Sequence, residues 1–144
     1  MNNQNTLEDI KVNVKLKIAA LWASFMFLYI YVDYFHLYMP GMVNDILQGK
    51  VFVFEITQGF LLAALVSVTI PTLMIFLSIA LPAKVNRITN IIVAAVFIPY
   101  TLFNLVGETP WIHMIFGAAV EVVLLCLIIR YAYKWSQLKN EKPQ

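Results

Sequence analysis

The sequence predicts an all-α integral membrane protein: one four-helix bundle, antiparallel in up-down-up-down order, with a long second helix kinked at Pro71. Three observations predict it. Hydrophobic residues make up 61% of the 144 and charged residues only 12%, where a soluble domain carries roughly a quarter charged. Apolar runs recur at the ~20 residues that a bilayer span needs. The few basic residues are sorted, nine of the ten falling before the first run, between the second and third, or at and beyond the end of the fourth.

The first span covers about residues 17–39, KIAALWASFMFLYIYVDYFHLYM, and Pro40-Gly41 closes it. The polar start MNNQNTLEDIKVNVKLK lacks the apolar core and small-residue cleavage site of a signal peptide, so the first span is expected to serve as an uncleaved signal anchor. In the connection GMVNDILQGK, the apolar Met42, Val43, Ile46 and Leu47 fit a single amphipathic turn on the membrane surface. The second span covers about residues 51–81. At ~1.5 Å per residue it exceeds a ~30 Å hydrocarbon core and must tilt, bend or project. Pro71, without an N–H and in conflict with the carbonyl of Ser67, predicts a kink, and Pro82 marks the end. The third span covers about residues 86–106, and the fourth about 110–135, opening on Pro110. The short connections PAKVN and GETP make neighbouring helices antiparallel. A single membrane domain, 1–144, with polar tails at 1–16 and 136–144 accounts for the whole chain.

Charge fixes the expected orientation. Lys11, Lys15 and Lys17 precede the first span, Lys84 and Arg87 join the second to the third, and Arg130, Lys134, Lys139 and Lys142 end or follow the fourth; only Lys50 lies on the other side. The positive-inside rule then places both termini and the second connection in the cytoplasm of a cell bounded by its plasma membrane, the inner membrane in a bacterium. Trp22, Tyr131, Tyr133 and Trp135 are expected in the inner aromatic belt, and Tyr34, Tyr38 and Trp111 in the outer one.

Several function classes drop out. The single cysteine, Cys126, makes no intramolecular disulfide, CxxC redox pair or multi-thiolate metal site, and reads as a small core residue. A net charge of +2 without a basic tract excludes nucleic acid as a partner. No P-loop, GxSxG elbow, HExxH helix or CxxCH site is present, so no cofactor and no metal is expected.

What remains is a set of polar residues inside the apolar runs. Asp33 lies sixteen residues beyond Lys17, ~24 Å along a helix, in the outer part of the bilayer. His36 is one turn further. Glu55 and Gln58 open the second span at the same spacing, Asn104 ends the third, and Glu108 and His113 flank the start of the fourth. Glu121 lies eleven residues past Pro110, ~16 Å deep and near the midplane. The faces agree: Phe25, Tyr29, Asp33 and His36 share one side of the first helix, and Glu55, Gln58 and Leu62 one side of the second. Asn90, Ala94, Phe97, Thr101 and Asn104 form a stripe on the third helix, and His113, Gly117 and Glu121 one on the fourth. Ionisable groups facing lipid are costly, so the stripes are expected to face one another around an outward-opening polar, protonatable pocket. Glu121 would be its floor, and Gly117 would leave room above it. Structural roles compete at each position. Asp33 and His36 also suit an interfacial ion pair, and Glu55 and Gln58 ordinary residues of a first helical turn. Glu121, Asn90, Thr101 and Asn104 also suit hydrogen bonds between helices, and His113 a surface position beside Trp111.

Three carboxylates (Asp33, Glu55, Glu121), two histidines and no Lys or Arg in the outer half of any span favour protons, cations and hydrogen-bond donors over anions. Four readings stay open: a small-molecule or lipid binder or proton-linked carrier; an intramembrane acid/base enzyme on a lipid-like substrate; bis-histidine haem ligation by His36 and His113; and a non-catalytic accessory subunit. Beyond the bilayer, the expected partner is a small hydrophobic or cationic ligand, with a second copy or a partner membrane protein as the alternative. Small multidrug carriers share the four spans and one embedded carboxylate, but are shorter, carry the key Glu in the first span and often have a weak charge bias.

The chain as a whole resembles a known family. The Tyr31-Val32-Asp33 step, Pro40-Gly41, Thr57-Gln58-Gly59, Ile70-Pro71, Asn86-Arg87 with Asn90, and Glu121 follow the order and spacing of a family of small bacterial and archaeal membrane proteins known only as a domain of unknown function. The resemblance covers about residues 14–135 and implies a four-helix membrane protein of unassigned activity, with no catalytic residues to carry over. The chain is also similar in size and architecture to DoxX-like four-helix proteins, a likeness of fold that carries no function.

Overall fold

The computed structural model describes residues 11–106 and 110–135; Glu108, residues 1–10 of the first expected tail and all of the second, 136–144, lie outside the described residues. The elements are α1 (Val14–His36), α2 (Met42–Leu47), β1 (Lys50–Val51), β2 (Phe54–Glu55), α3 (Gln58–Ala80), α4 (Ala83–Phe103) and α5 (Ile112–Tyr133). α1, α3, α4 and α5 are each long and apolar enough to cross a membrane. Large side chains such as Phe27, Phe76 and Phe116 point away from the bundle, a surface suited to lipid.

α1 starts where Asn13 turns its side-chain oxygen back to the Lys15 N–H at 2.9 Å. After α1 the chain reverses at Gly41, whose φ of 93° is one that a side chain would strain. The amphipathic turn expected after Pro40-Gly41 is present as α2, with Met42 buried against Met39 and Met114.

The second span is shorter than the sequence reading. Residues 51–57 do not open the helix; an antiparallel hairpin pairs Lys50 with Glu55 and Val51 with Phe54, and α3 begins only at Gln58. Thr57 decides the boundary. It is extended, and its hydroxyl oxygen accepts from the Phe60 N–H at 3.1 Å, an N-cap that sets the first turn. Pro71 sits inside α3, buried, and the helix runs on through it to Ala80.

Contacts between helix ends organise the bundle. Lys15, in the first turn of α1, donates its ammonium to the Ile79 and Leu81 carbonyls at the end of α3, at 3.1 and 2.6 Å. Lys17 lies 5.7 Å from the ring centre of Tyr131, near the end of α5, and Arg87, early in α4, lies 5.6 Å from that of Tyr133. The core fills this end: Trp22, Phe25 and Phe97 meet edge to face, with Ile18, Met74 and Leu125 around them. Trp22 is thus not a belt residue. It is fully buried, and its indole N–H donates to Asn90 Oδ1 at 2.6 Å, because a buried indole needs an acceptor and α4 supplies one. Cys126, read as a core residue, is exposed on α5; Leu125 and Ile128 are the neighbouring positions that turn inward.

At the opposite end, where α1 finishes and α3 begins, packing changes. The buried residues of α3 are Pro71, Met74 and Ser78, all in its second half. From Gln58 to Val66 every residue is exposed except the half-buried Phe60. That half of α3 stands clear of the other helices and leaves space between them.

Candidate functional site

The space is a cavity of about 680 Å³, within the ~300–1,000 Å³ usual for small-molecule sites. All four long helices contribute to its wall, and α2 and the hairpin contribute at the end of the bundle. The sequence reading left that end open; Met42, Ile46 and Val51–Phe54 line it.

Of the expected stripes, those on α1, α4 and α5 each bring at least one residue to the cavity, and that of Glu55, Gln58 and Leu62 brings none. α1 presents Tyr29, Asp33 and His36 to the cavity, along with Val32. α4 buries Asn90, Ala94, Phe97 and Thr101 along one face, as the spacing indicated, and Thr101 and Asn104 reach the cavity. Glu121 lines it from α5, buried at 4% exposure. So Asp33, His36, Asn104 and Glu121 come together.

Glu55, Gln58 and His113 are not among the cavity-lining residues. Glu55 belongs to the hairpin, exposed and opposite Lys50, and Gln58 is exposed in the first turn of α3. The lining stripe of α5 is Met114, Ala118 and Glu121, one residue round from His113 and Gly117. His113 packs against the Trp111 ring, and its Nε2 is buried without a hydrogen-bond partner among the described residues. The two histidines therefore do not share the cavity, and no group of three metal-ligating side chains occurs among the described residues. Gly117 faces α1, where an added Cβ would run into Val32 Cγ2.

Glu121 Oε2 accepts from the Thr101 hydroxyl at 3.1 Å, which ties the floor of the cavity to α4. Asp33 makes no hydrogen bond or ion pair with another described residue, and it is close enough for its charge to be felt at Glu121. Tyr29 stands beside Asp33, Tyr100 and Asn104. The Tyr100 hydroxyl also meets the Ser67 hydroxyl at 3.0 Å, a polar contact across the sparse α3–α4 seam. No Lys or Arg is found among the described residues that line the cavity.

Phe52 is the residue that sequence reasoning missed. Its φ of 52° is costly for a bulky side chain, and its ring lies 4.7 Å from that of His36 at the cavity wall. Gly49, with φ 76°, and the cap at Thr57 were the available signs of a turn here.

Fold and site together define a small multi-pass membrane protein with an acidic, largely apolar-walled cavity at one end of a four-helix bundle. The model of a family of unknown function (DUF6326) matches residues 7–141, and the chain belongs to that family. No curated protein and no solved structure matches the chain.

Proposed function

We propose that this protein binds a small amphipathic molecule drawn from the bilayer, in the cavity between α1, α3, α4 and α5. One observation carries the reading: a space of about 680 Å³ whose walls are mostly apolar while its few polar groups include two carboxyls, Asp33 and Glu121, one imidazole, His36, and no Lys or Arg. A water-soluble polar solute would be poorly matched by walls such as Val51, Phe54, Phe60 and Ala64. The exposed half of α3 leaves an approach from the lipid side. The sorting of basic residues supports cytoplasmic termini, which puts the cavity in the outer half of the membrane, and the end-to-start contacts of α1 with α3 and α5 support an up-down helix order. Glu121 gives the site a group that can exchange a proton when ligand arrives.

Ala64 lines the cavity from the exposed half of α3, so Ala64→Trp fills space without disturbing the core. Radiolabelled dodecanol, measured by scintillation proximity on the purified chain in a neutral maltoside detergent, is expected to bind saturably and to lose that binding in Ala64→Trp. Saturable binding that is indifferent to Ala64→Trp would place the ligand elsewhere. Glu121→Gln retains an oxygen that can accept from Thr101, so the fold is expected to survive. Proton uptake or release on ligand addition, followed with a pH dye in weak buffer, should disappear; an unchanged proton signal would remove Glu121 from that role.

A further inference from the structure

Resting on that reading of the cavity, we infer that its ligand is a monovalent amphipathic cation, an amine or quaternary ammonium on an apolar body, with Asp33 as the counter-ion. Three basic residues near the helix ends are engaged at the far end of the bundle: Lys15 on the Ile79 and Leu81 carbonyls, Lys17 on Tyr131, Arg87 on Tyr133. Lys50 belongs to the hairpin and is not a lining residue. Asp33 therefore enters a mostly apolar space whose described lining holds no Lys or Arg; His36, one turn further along α1, packs its ring against Phe52 at 4.7 Å, and a second carboxyl, Glu121, lines the same space. Unpaired ionised carboxylates are costly away from water, and two of them repel. A single positive charge lodged near an ionised Asp33 relieves the first cost and lessens the second; an anion adds a further repulsion, and a neutral ligand relieves neither, leaving that to proton uptake.

The remaining lining chemistry fits the same guest. Tyr29, Tyr100, Phe52 and Phe60 offer ring faces that attract a poorly hydrated ammonium. Val32, Ala63 and Val51 give an alkyl or aryl body apolar contact. One charge rather than two is indicated because Glu121 already accepts a hydrogen bond from Thr101, whereas Asp33 has no such bond within the described chain.

The test compares two probes of one chain length, dodecyltrimethylammonium and dodecanol, each radiolabelled and measured by scintillation proximity on the full chain in neutral maltoside detergent. The ammonium is expected to bind about ten-fold tighter than the alcohol or better. Asp33→Asn should lose that advantage, weakening ammonium binding far more than dodecanol binding, and Asp33→Glu should restore most of it. Because Asp33 is exposed and bonds to no described residue, dodecanol binding by Asp33→Asn also reports that the variant is folded. Equal affinity for the two probes, or an Asp33→Asn effect of the same size on both, overturns the cation assignment and leaves the cavity reading standing if Ala64→Trp still blocks dodecanol. Absence of saturable binding by either probe overturns the cavity reading, and the cation assignment with it.

Discussion

Asn90→Leu is expected to destabilise the folded bundle by roughly 2–4 kcal/mol, more than any surface substitution. Leucine keeps the branched skeleton of asparagine and is somewhat bulkier, so the loss would come from polar groups left without partners rather than from a void. Asn90 is fully buried, and its amide joins three helices. Its Oδ1 accepts from the Trp22 indole of α1 and from the Ser78 hydroxyl of α3, at 2.6 and 3.1 Å. Its Nδ2 donates to the carbonyl and the side-chain oxygen of Asn86 on α4. Asn86 in turn donates to the Ser78 carbonyl and so fastens the short turn between α3 and α4. With leucine at 90 these groups lose a partner where water does not replace it. Unfolding by dodecyl sulfate in mixed micelles, followed by circular dichroism, gives the measurement. Thr72→Ala is the control, since that hydroxyl is exposed and bonds only to the Val68 carbonyl of its own helix; it should change stability by less than about 0.5 kcal/mol. Trp22→Phe should cost less in the Asn90→Leu background than alone, because the bond it removes is already gone. Strictly additive costs would show that the three helices are held by something else.

The part of the fold that was legible in the sequence is the part that lipid dictates. Four apolar runs, closed by Pro40, Pro82 and the GETP connection, became four helices, because a backbone crossing hydrocarbon must satisfy its own hydrogen bonds. The α4 stripe from Asn90 to Thr101 was legible for the same reason: polar side chains turn away from lipid at helical spacing. The hairpin was not. Val51, Phe52, Val53 and Phe54 are as apolar as the helix that follows, so hydropathy joins them to it, and only Gly49 and the Thr57 cap distinguish turn from helix. Misplacing that boundary carried Glu55 and Gln58 into the candidate site and left Phe52 out. On α5 the error was one of angle. His113, Gly117 and Glu121 recur every four residues, which drifts around a helix of 3.6 residues per turn; Met114, Ala118 and Glu121 are the three that line the cavity. Trp22 shows the limit of the belt rule, since an indole near a helix end serves equally well in a core that offers it an acceptor.

The same error of angle gives Gly117 a different duty and a sharp test. The sequence reading made it open space above Glu121; the structure turns it toward α1, where Val32 Cγ2 occupies the position a side chain would take. Gly117→Ala is therefore expected to cost about 2 kcal/mol, as overpacking between two close helices does. The cost should fall on the α1–α5 contact, so Val32→Ala in the same chain should recover most of it, a coupling of about 1 kcal/mol or more between the two positions. Dodecyl sulfate unfolding of the four chains of this double-mutant cycle measures it. Binding should follow stability. Val32 also lines the cavity, so a methyl at 117 that displaces Val32 reshapes the wall beside Asp33 and should weaken dodecanol, and the double variant should regain it. If the glycine instead served as space above Glu121, Gly117→Ala would leave stability unchanged while reducing binding, and Val32→Ala would rescue nothing. The two roles therefore predict opposite results from the same four proteins. Stability tells whether α1 and α5 need the missing side chain, and binding tells whether the ligand does.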